Sequence, residues 1–153
     1  IATQLAVRQG LRVIGAVGAR DEALTRELGA TPVRYGSNLL SDVRQVASGV
    51  DATFDAAGKG GLQDAITLSG GPDRVITLAD ERAAELGVRL SVPTPDRAPD
   101  GVEIGMRLLA SGELRLRAQK LLPMSAAAEA HRLLEEGQAH EKLLLVSDAT
   151  IAT

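Results

Sequence analysis

Short apolar runs alternate with amphipathic stretches along most of the chain. "LRVIGAV" (11–17), "PVRY" (32–35), "VDATFDAAG" (50–58), "RVITLA" (74–79) and "VRLSV" (88–92) are rich in branched and small apolar residues and have the length of strands. Between them, "DEALTREL" (21–28), "LLSDVRQVAS" (39–48), "GLQDAITLS" (61–69) and "ERAAEL" (81–86) repeat their apolar positions at three and four residues, the helical period. Ahead of the first strand, "IATQLAVRQG" pairs Ile1 with Leu5 and Ala2 with Ala6, predicting a helix that Gly10 stops. Strands alternating with helices predict βαβ units and a parallel sheet, and the nearly unbroken apolar run at 50–57 suits a sheet covered on both faces.

The pattern changes after residue 92. "PTPDRAPD" (93–100) holds three prolines and reads as a connector, with Asp100 placed to cap the helix "GVEIGMRLLASG". Beyond Gly112, "ELRLRAQKLL" is an extended segment, "SAAAEAHRLLEEG" (125–137) a capped helix and "KLLLV" (142–146) a strand. The predicted division is therefore 1–112 and an appended 113–153. The fold class expected is α/β, a Rossmann-like doubly wound parallel sheet.

Composition removes several functions. The 153 residues carry a net charge of −3, which disfavours a general nucleic-acid binder. One Tyr, one Phe and no Trp leave no stacking platform for single strands. No run approaches the ~18 apolar residues of a membrane span, and no basic stretch leads into an apolar core, so neither membrane nor leader is expected. The chain has no cysteine, which removes disulfides, thiolate catalysis and cysteine-held zinc and suits a cytoplasmic protein. His131 and His140 do not have metal-ligand spacing.

Candidate chemistry gathers at strand ends. A doubly wound sheet holds its ligand beyond the carboxyl ends of its strands. An acid at the end of the second strand accepts hydrogen bonds from the ribose hydroxyls of NAD, and it repels a 2′-phosphate. Here "GAR" follows the strand at 11–17. Gly18 and Ala19 leave room for close approach, and Arg20 offers a planar fork suited to phosphate. The helix start expected at Asp21 adds backbone donors, and Tyr35, ending the next strand, can pack beside an adenosine or donate its hydroxyl. If 11–17 is the second strand of the fold, the site prefers NADP(H). Asp51 and Asp55, four apart on an expected strand, share one face by period two; we read Asp55 as satisfying backbone donors near the ligand mouth and Asp51 as exposed. Asp80–Glu81 and Glu135–Glu136 read as solvated helix faces, His131 as structural, and Arg115, Arg117 and Lys120 as an exposed strand face. "GKGG" (58–61) and "SGGP" (69–72) lack P-loop spacing and read as turns.

"QLAVRQGLRVIGAVGA", "ELGATPVRY", "VDATFDAAG", "DRVITLAD" and "AAAEAHRLLEEGQAHEKLLLV" stand in the order and approximate spacing of one family. In them the chain resembles the C-terminal half of a medium-chain dehydrogenase/reductase, in the zinc-independent quinone oxidoreductase branch. The resemblance implies a first strand and a glycine-rich turn ahead of Ile1, an N-terminal catalytic domain elsewhere, and a segment 113–153 that folds back onto that domain. It places Gly18, Ala19, Arg20 and Tyr35 at the adenosine 2′-phosphate of NADP(H). Ala57 and Gly58 would lie along the dinucleotide, with Leu78 and Ala79 near its nicotinamide. It makes 88–92 an edge strand that pairs across a homodimer, and it names no acid or base in this chain. Glu141 departs from the family's usual glycine. The activity implied is hydride transfer from NADPH to a small quinone, enone or similar activated carbonyl. Two other readings fit the alternation: a non-catalytic NADPH-binding or oligomerisation module, and an S-adenosylmethionine-dependent methyltransferase, which wants the ribose acid that this chain lacks.

Overall fold

The computed structural model describes residues 1–92, 94 and 98–147. Of the connector read at 93–100, residues 93 and 95–97 lie outside them. The chain forms two compact units, Ile1–Ile104 and Gly105–Thr153.

In the first unit, α1 (Ala2–Arg8) precedes β1 (Ile14–Val17), α2 (Glu22–Glu27), β2 (Thr31–Arg34) and α3 (Leu39–Val46). Then follow β3 (Thr53–Asp55), α4 (Leu62–Ser69), β4 (Val75–Thr77) and β5 (Arg89–Leu90), with α5 (Gly101–Ala110) spanning the boundary between the units. Every described strand pair is parallel, as the alternation predicts. β1 pairs with β2, and β3, β4 and β5 form a second sheet in that order. The orders β2-β1 and β3-β4-β5 are those of the two flanks of the six-stranded 3-2-1-4-5-6 sheet. No described strand pairs with the second edge of β1 or of β3.

The core lies where α4 meets β4. Leu62, Ala65 and Ser69 recur along one face of α4 and are buried. Leu62 and Ala65 pack with Val75, Ala83 and Val88, flanked by Ile66 and Leu86. Leu62 is fully buried, and such burial stabilises by about 1.5–3 kcal/mol. The Thr53 and Ser69 hydroxyls, 2.8 Å apart, fasten β3 to the end of α4. Glycine sets the approach of α1: a Cβ on Gly29, at φ +82°, would stand 3.0 Å from Val7 Cγ1.

In the second unit, β6 (Gln119–Pro123) and β7 (Lys142–Val146) run parallel over five registered pairs, joined through α6 (Ala127–Glu135). A parallel pair needs such a crossover. A 3₁₀ turn, Met124–Ala126, contains Ser125, so α6 begins after the expected cap.

Several elements are shorter than the apolar runs suggest. The run at 50–58 yields a strand only over Thr53–Asp55, since Val50 N donates to Leu68 O and residue 51 is a bend. Asp51 therefore does not share a strand face with Asp55. The predicted helix at 81–86 is a 3₁₀ turn over Glu81–Ala83, and the strand at 88–92 contracts to two residues. Arg115 and Arg117 precede β6 and do not share its face with Lys120; Arg117 Nε donates to His140 O.

Candidate cofactor site

The candidate residues fall into two groups, each at the carboxyl ends of neighbouring parallel strands. The first lies beyond β1 and β2. Val17 is registered with Arg34, and Tyr35 N donates to Val17 O, extending the ladder past the strand ends. This register brings Tyr35 against Gly18: a Cβ on Gly18 would stand 3.4 Å from Tyr35 Cε1. Ala19 and Arg20 sit in a 3₁₀ turn, Ala19–Asp21, and Tyr35 is exposed. Asp21 is the N-cap of the six-residue α2, where the helix start was expected, and its own N donates to Gly18 O at 3.0 Å, so that amide is turned back onto the chain.

The structure adds two residues to this group. The Arg34 guanidinium reaches the Glu22 carboxylate, which also meets Arg26 at 3.4 Å. The hydrogen bond from Arg34, followed by the nearby positive charges, holds the Glu22 carboxyl below its ordinary value. No carboxylate follows β1 directly, and the first one in α2 is already engaged with arginines. Arg34 was hidden in the sequence because only strand register pairs it with Val17, the residue before Gly18; its place next to Tyr35 was the available signal.

The second group lies beyond β3 and β4 and is held by three polar side chains. Asp55 and Thr77 are register partners. Asp55 Oδ1 accepts from Ala57 N at 3.1 Å and Gly58 N at 3.2 Å, as expected of a residue satisfying backbone donors. Its Oδ2 accepts from Thr77 Oγ1 at 2.7 Å, and that hydroxyl in turn accepts from Ala79 N at 3.2 Å and Asp80 N at 3.1 Å. Leu78 N donates to Asp55 O. Ala57, Gly58, Leu78 and Ala79 are thus brought into two adjoining loops. Gly58 is at their closest approach: at φ +60°, a Cβ there would lie 2.7 Å from the carbonyl carbon and oxygen of Ala79.

Asp80 corrects the reading of Asp80–Glu81 as a solvated face. It is 5% exposed and accepts from Arg82 N and from both Nε and Nη2 of that guanidinium. The Arg82 side-chain bond, then the Arg82 backbone bond, hold its carboxyl below the ordinary value, with Gly60 N contributing as well. Thr77, fully buried, was not singled out by sequence reading, because a threonine within an apolar strand looks like any other β-branched residue. Glu135 and Glu136 are exposed, and Arg132 on α6 bonds Glu129 and Glu136.

The sequence matches the family model described as zinc-binding dehydrogenase over residues 28–145. The chain belongs to this family, within the medium-chain dehydrogenase/reductases, as the resemblance implied. Among solved structures it is similar to a quinone oxidoreductase of Coxiella burnetii, at 25% identity and TM-score 0.73, covering 94% of this chain and 47% of that one. It is similar in fold to a quinone oxidoreductase of Pseudomonas syringae pv. Tomato DC3000, at 19% identity and TM-score 0.72, covering 95% and 52%. A mycobacterial protein complexed with NADPH matches at 19% identity and TM-score 0.70, covering 94% and 51%. The chain spans roughly half the length of these structures. No curated protein matches it.

Two groups that such relatives suggest can be tested against the residues present. Zinc does not fit: the sequence has no cysteine and two histidines, and among the described residues no three His, Asp or Glu side chains converge to hold a metal. A dinucleotide fits better. Tyr35 lies against Gly18 at one strand end, with Arg20 in the turn that follows and Arg34 registered with Val17, and the loops beyond β3 and β4 provide a small-residue rim. No described helix is long and apolar enough to cross a membrane.

Proposed function

We propose that this chain is the dinucleotide-holding part of an NADPH-dependent reductase acting on a quinone, an enone or a similar activated carbonyl, without zinc. Residues 1–112 are the cofactor portion, and 113–153 pack onto a separate catalytic domain that sets the substrate. The observation that carries the reading is Tyr35 against Gly18 at the ends of β1 and β2, followed by Arg20 and with no carboxylate directly after β1. Arg20 and Arg34 match a phosphate monoester, Tyr35 flanks it, and the carboxylate of Glu22 is occupied by arginines. Membership of the dehydrogenase family and likeness to a structure complexed with NADPH support the same cofactor.

NADPH, when bound, supplies a hydride from its nicotinamide ring. The chain's own task is positional. The first group anchors the adenosine end, and Ala57, Gly58, Leu78 and Ala79 line the path to the nicotinamide.

Calorimetric binding of NADPH and NADH to the full-length protein tests this. In Arg20→Glu, the NADPH dissociation constant is expected to rise at least about tenfold relative to that of NADH, since a charge-assisted pair is replaced by repulsion. An unchanged preference removes the 2′-phosphate assignment. Tight NADPH binding without oxidation by any quinone or enone supports the non-catalytic module instead.

A further inference from the structure

Arg34 closes β2 in register with Val17, and Tyr35 follows it against Gly18. Its guanidinium is held from one side. Arg34 Nε donates to Glu22 Oε1, and among the described residues Glu22 is its one hydrogen-bond partner. The two terminal nitrogens, each with two N–H groups, are left for another acceptor. They form the end of the fork that can meet a phosphate with two parallel bonds. Glu22 is itself held, since its Oε2 accepts from Arg26 Nη2 at 3.4 Å, one turn along α2. One carboxylate between two guanidiniums leaves a positive excess. The Arg34 side chain is 58% exposed. A long side chain in water has many rotamers to lose on binding, and a bond to Nε removes part of that freedom before a ligand arrives.

From this geometry we infer that Glu22 is a positioning residue for the 2′-phosphate end of the dinucleotide: by taking Nε, it sets the Arg34 guanidinium with its two terminal nitrogens free for the phosphate. The inference rests on the cofactor reading above and deepens it. Neither Glu22 nor Arg34 is among the residues that the family resemblance places at the cofactor. In this role Glu22 touches no phosphate oxygen. An acid beside an anion ordinarily weakens its binding; this one strengthens it, and the sign separates positioning from repulsion. Asp21, the exposed acid one residue earlier, supplies the contrast.

Calorimetry on the full-length protein compares NADPH with NADH, and 2′,5′-ADP with 5′-ADP. The proteins are wild type, Glu22→Gln, Asp21→Asn, Arg34→Met and the Glu22→Gln, Arg34→Met double variant. Glu22→Gln removes a negative charge and keeps the shape. It is expected to weaken NADPH and 2′,5′-ADP about threefold, the scale of an exposed ion pair, with NADH and 5′-ADP unchanged. Asp21→Asn removes the same charge and leaves NADPH binding no weaker. Arg34→Met weakens NADPH about tenfold, and adding Glu22→Gln to it changes nothing further. If Arg34→Met fails to fold, Arg34→Lys, which keeps the charge and loses the fork, takes its place in the cycle. Unchanged or tighter NADPH binding in Glu22→Gln overturns the positioning role, as does equal weakening of NADPH and NADH. Three further results overturn it: a matching loss in Asp21→Asn, an unchanged cofactor preference in Arg34→Met, or a Glu22→Gln penalty that persists without the Arg34 fork. Each of these leaves the cofactor assignment standing. A wild-type protein that binds neither dinucleotide removes the cofactor reading and this inference with it.

Discussion

At the residue scale, the site is organised by what glycine permits and by what buried carboxylates accept. Gly58 illustrates the first. Its φ of +60° and its closeness to Ala79 both exclude a side chain. Gly58→Ala is expected to cost about 1–3 kcal/mol in urea unfolding, from backbone strain and the forced shift of the neighbouring loop. Asp80 illustrates the second. Its pKa is depressed in the folded chain, chiefly by the Arg82 hydrogen bond. The stability it lends is therefore fully present above the ordinary aspartate value of about 3.9 and is lost as pH falls through the lower folded value. Thermal melts of Asp80→Asn should lie below wild type at pH 7, and the gap should narrow from about pH 4 downward. A gap that stays constant to pH 3 means the carboxylate's charge contributes nothing. Sequence reading found Asp55 because an acid ending an apolar strand stands out. It placed Asp80 on a solvated face because a carboxylate buried by a neighbour two residues away looks, in a string of letters, like one in water.

At the element scale, the alternation of strands and helices was legible because each half-turn of pattern is a burial requirement. The lengths were not. Apolar character extends wherever a segment is covered, whereas a strand ends where its ladder ends, and Val50 N bonding Leu68 O stops β3 short of the run that contains it. The same difference trims β5 to Arg89–Leu90, although Ser91 N still reaches Thr77 O. β5 is an outer strand of its sheet among the described residues, and Leu90 is 44% exposed. An exposed outer strand is a pairing surface, and we propose that two copies of the protein pair there. Light scattering on the full-length protein should give a dimer for wild type and a shift toward monomer for Leu90→Lys. Unchanged assembly places the contact elsewhere.

At the scale of the whole molecule, fold class could be read from the letters, since only a parallel sheet with crossover helices satisfies so regular an alternation. The separation into three sheets could not. It depends on which strand edges find partners, and neither hydropathy nor turn residues record that. Each described strand pairs only with one next to it in the chain: β1 with β2, β3 with β4, β4 with β5 and β6 with β7. The kinetic consequence is that no observed strand pairing must wait for a distant segment. Closing a crossover of this kind costs an entropy that grows only slowly with its length, and folding rates rise as contacts become more local. Each strand–helix–strand module can therefore condense on its own timescale, like separate droplets from one vapour, and the order in which they form is free to vary from molecule to molecule.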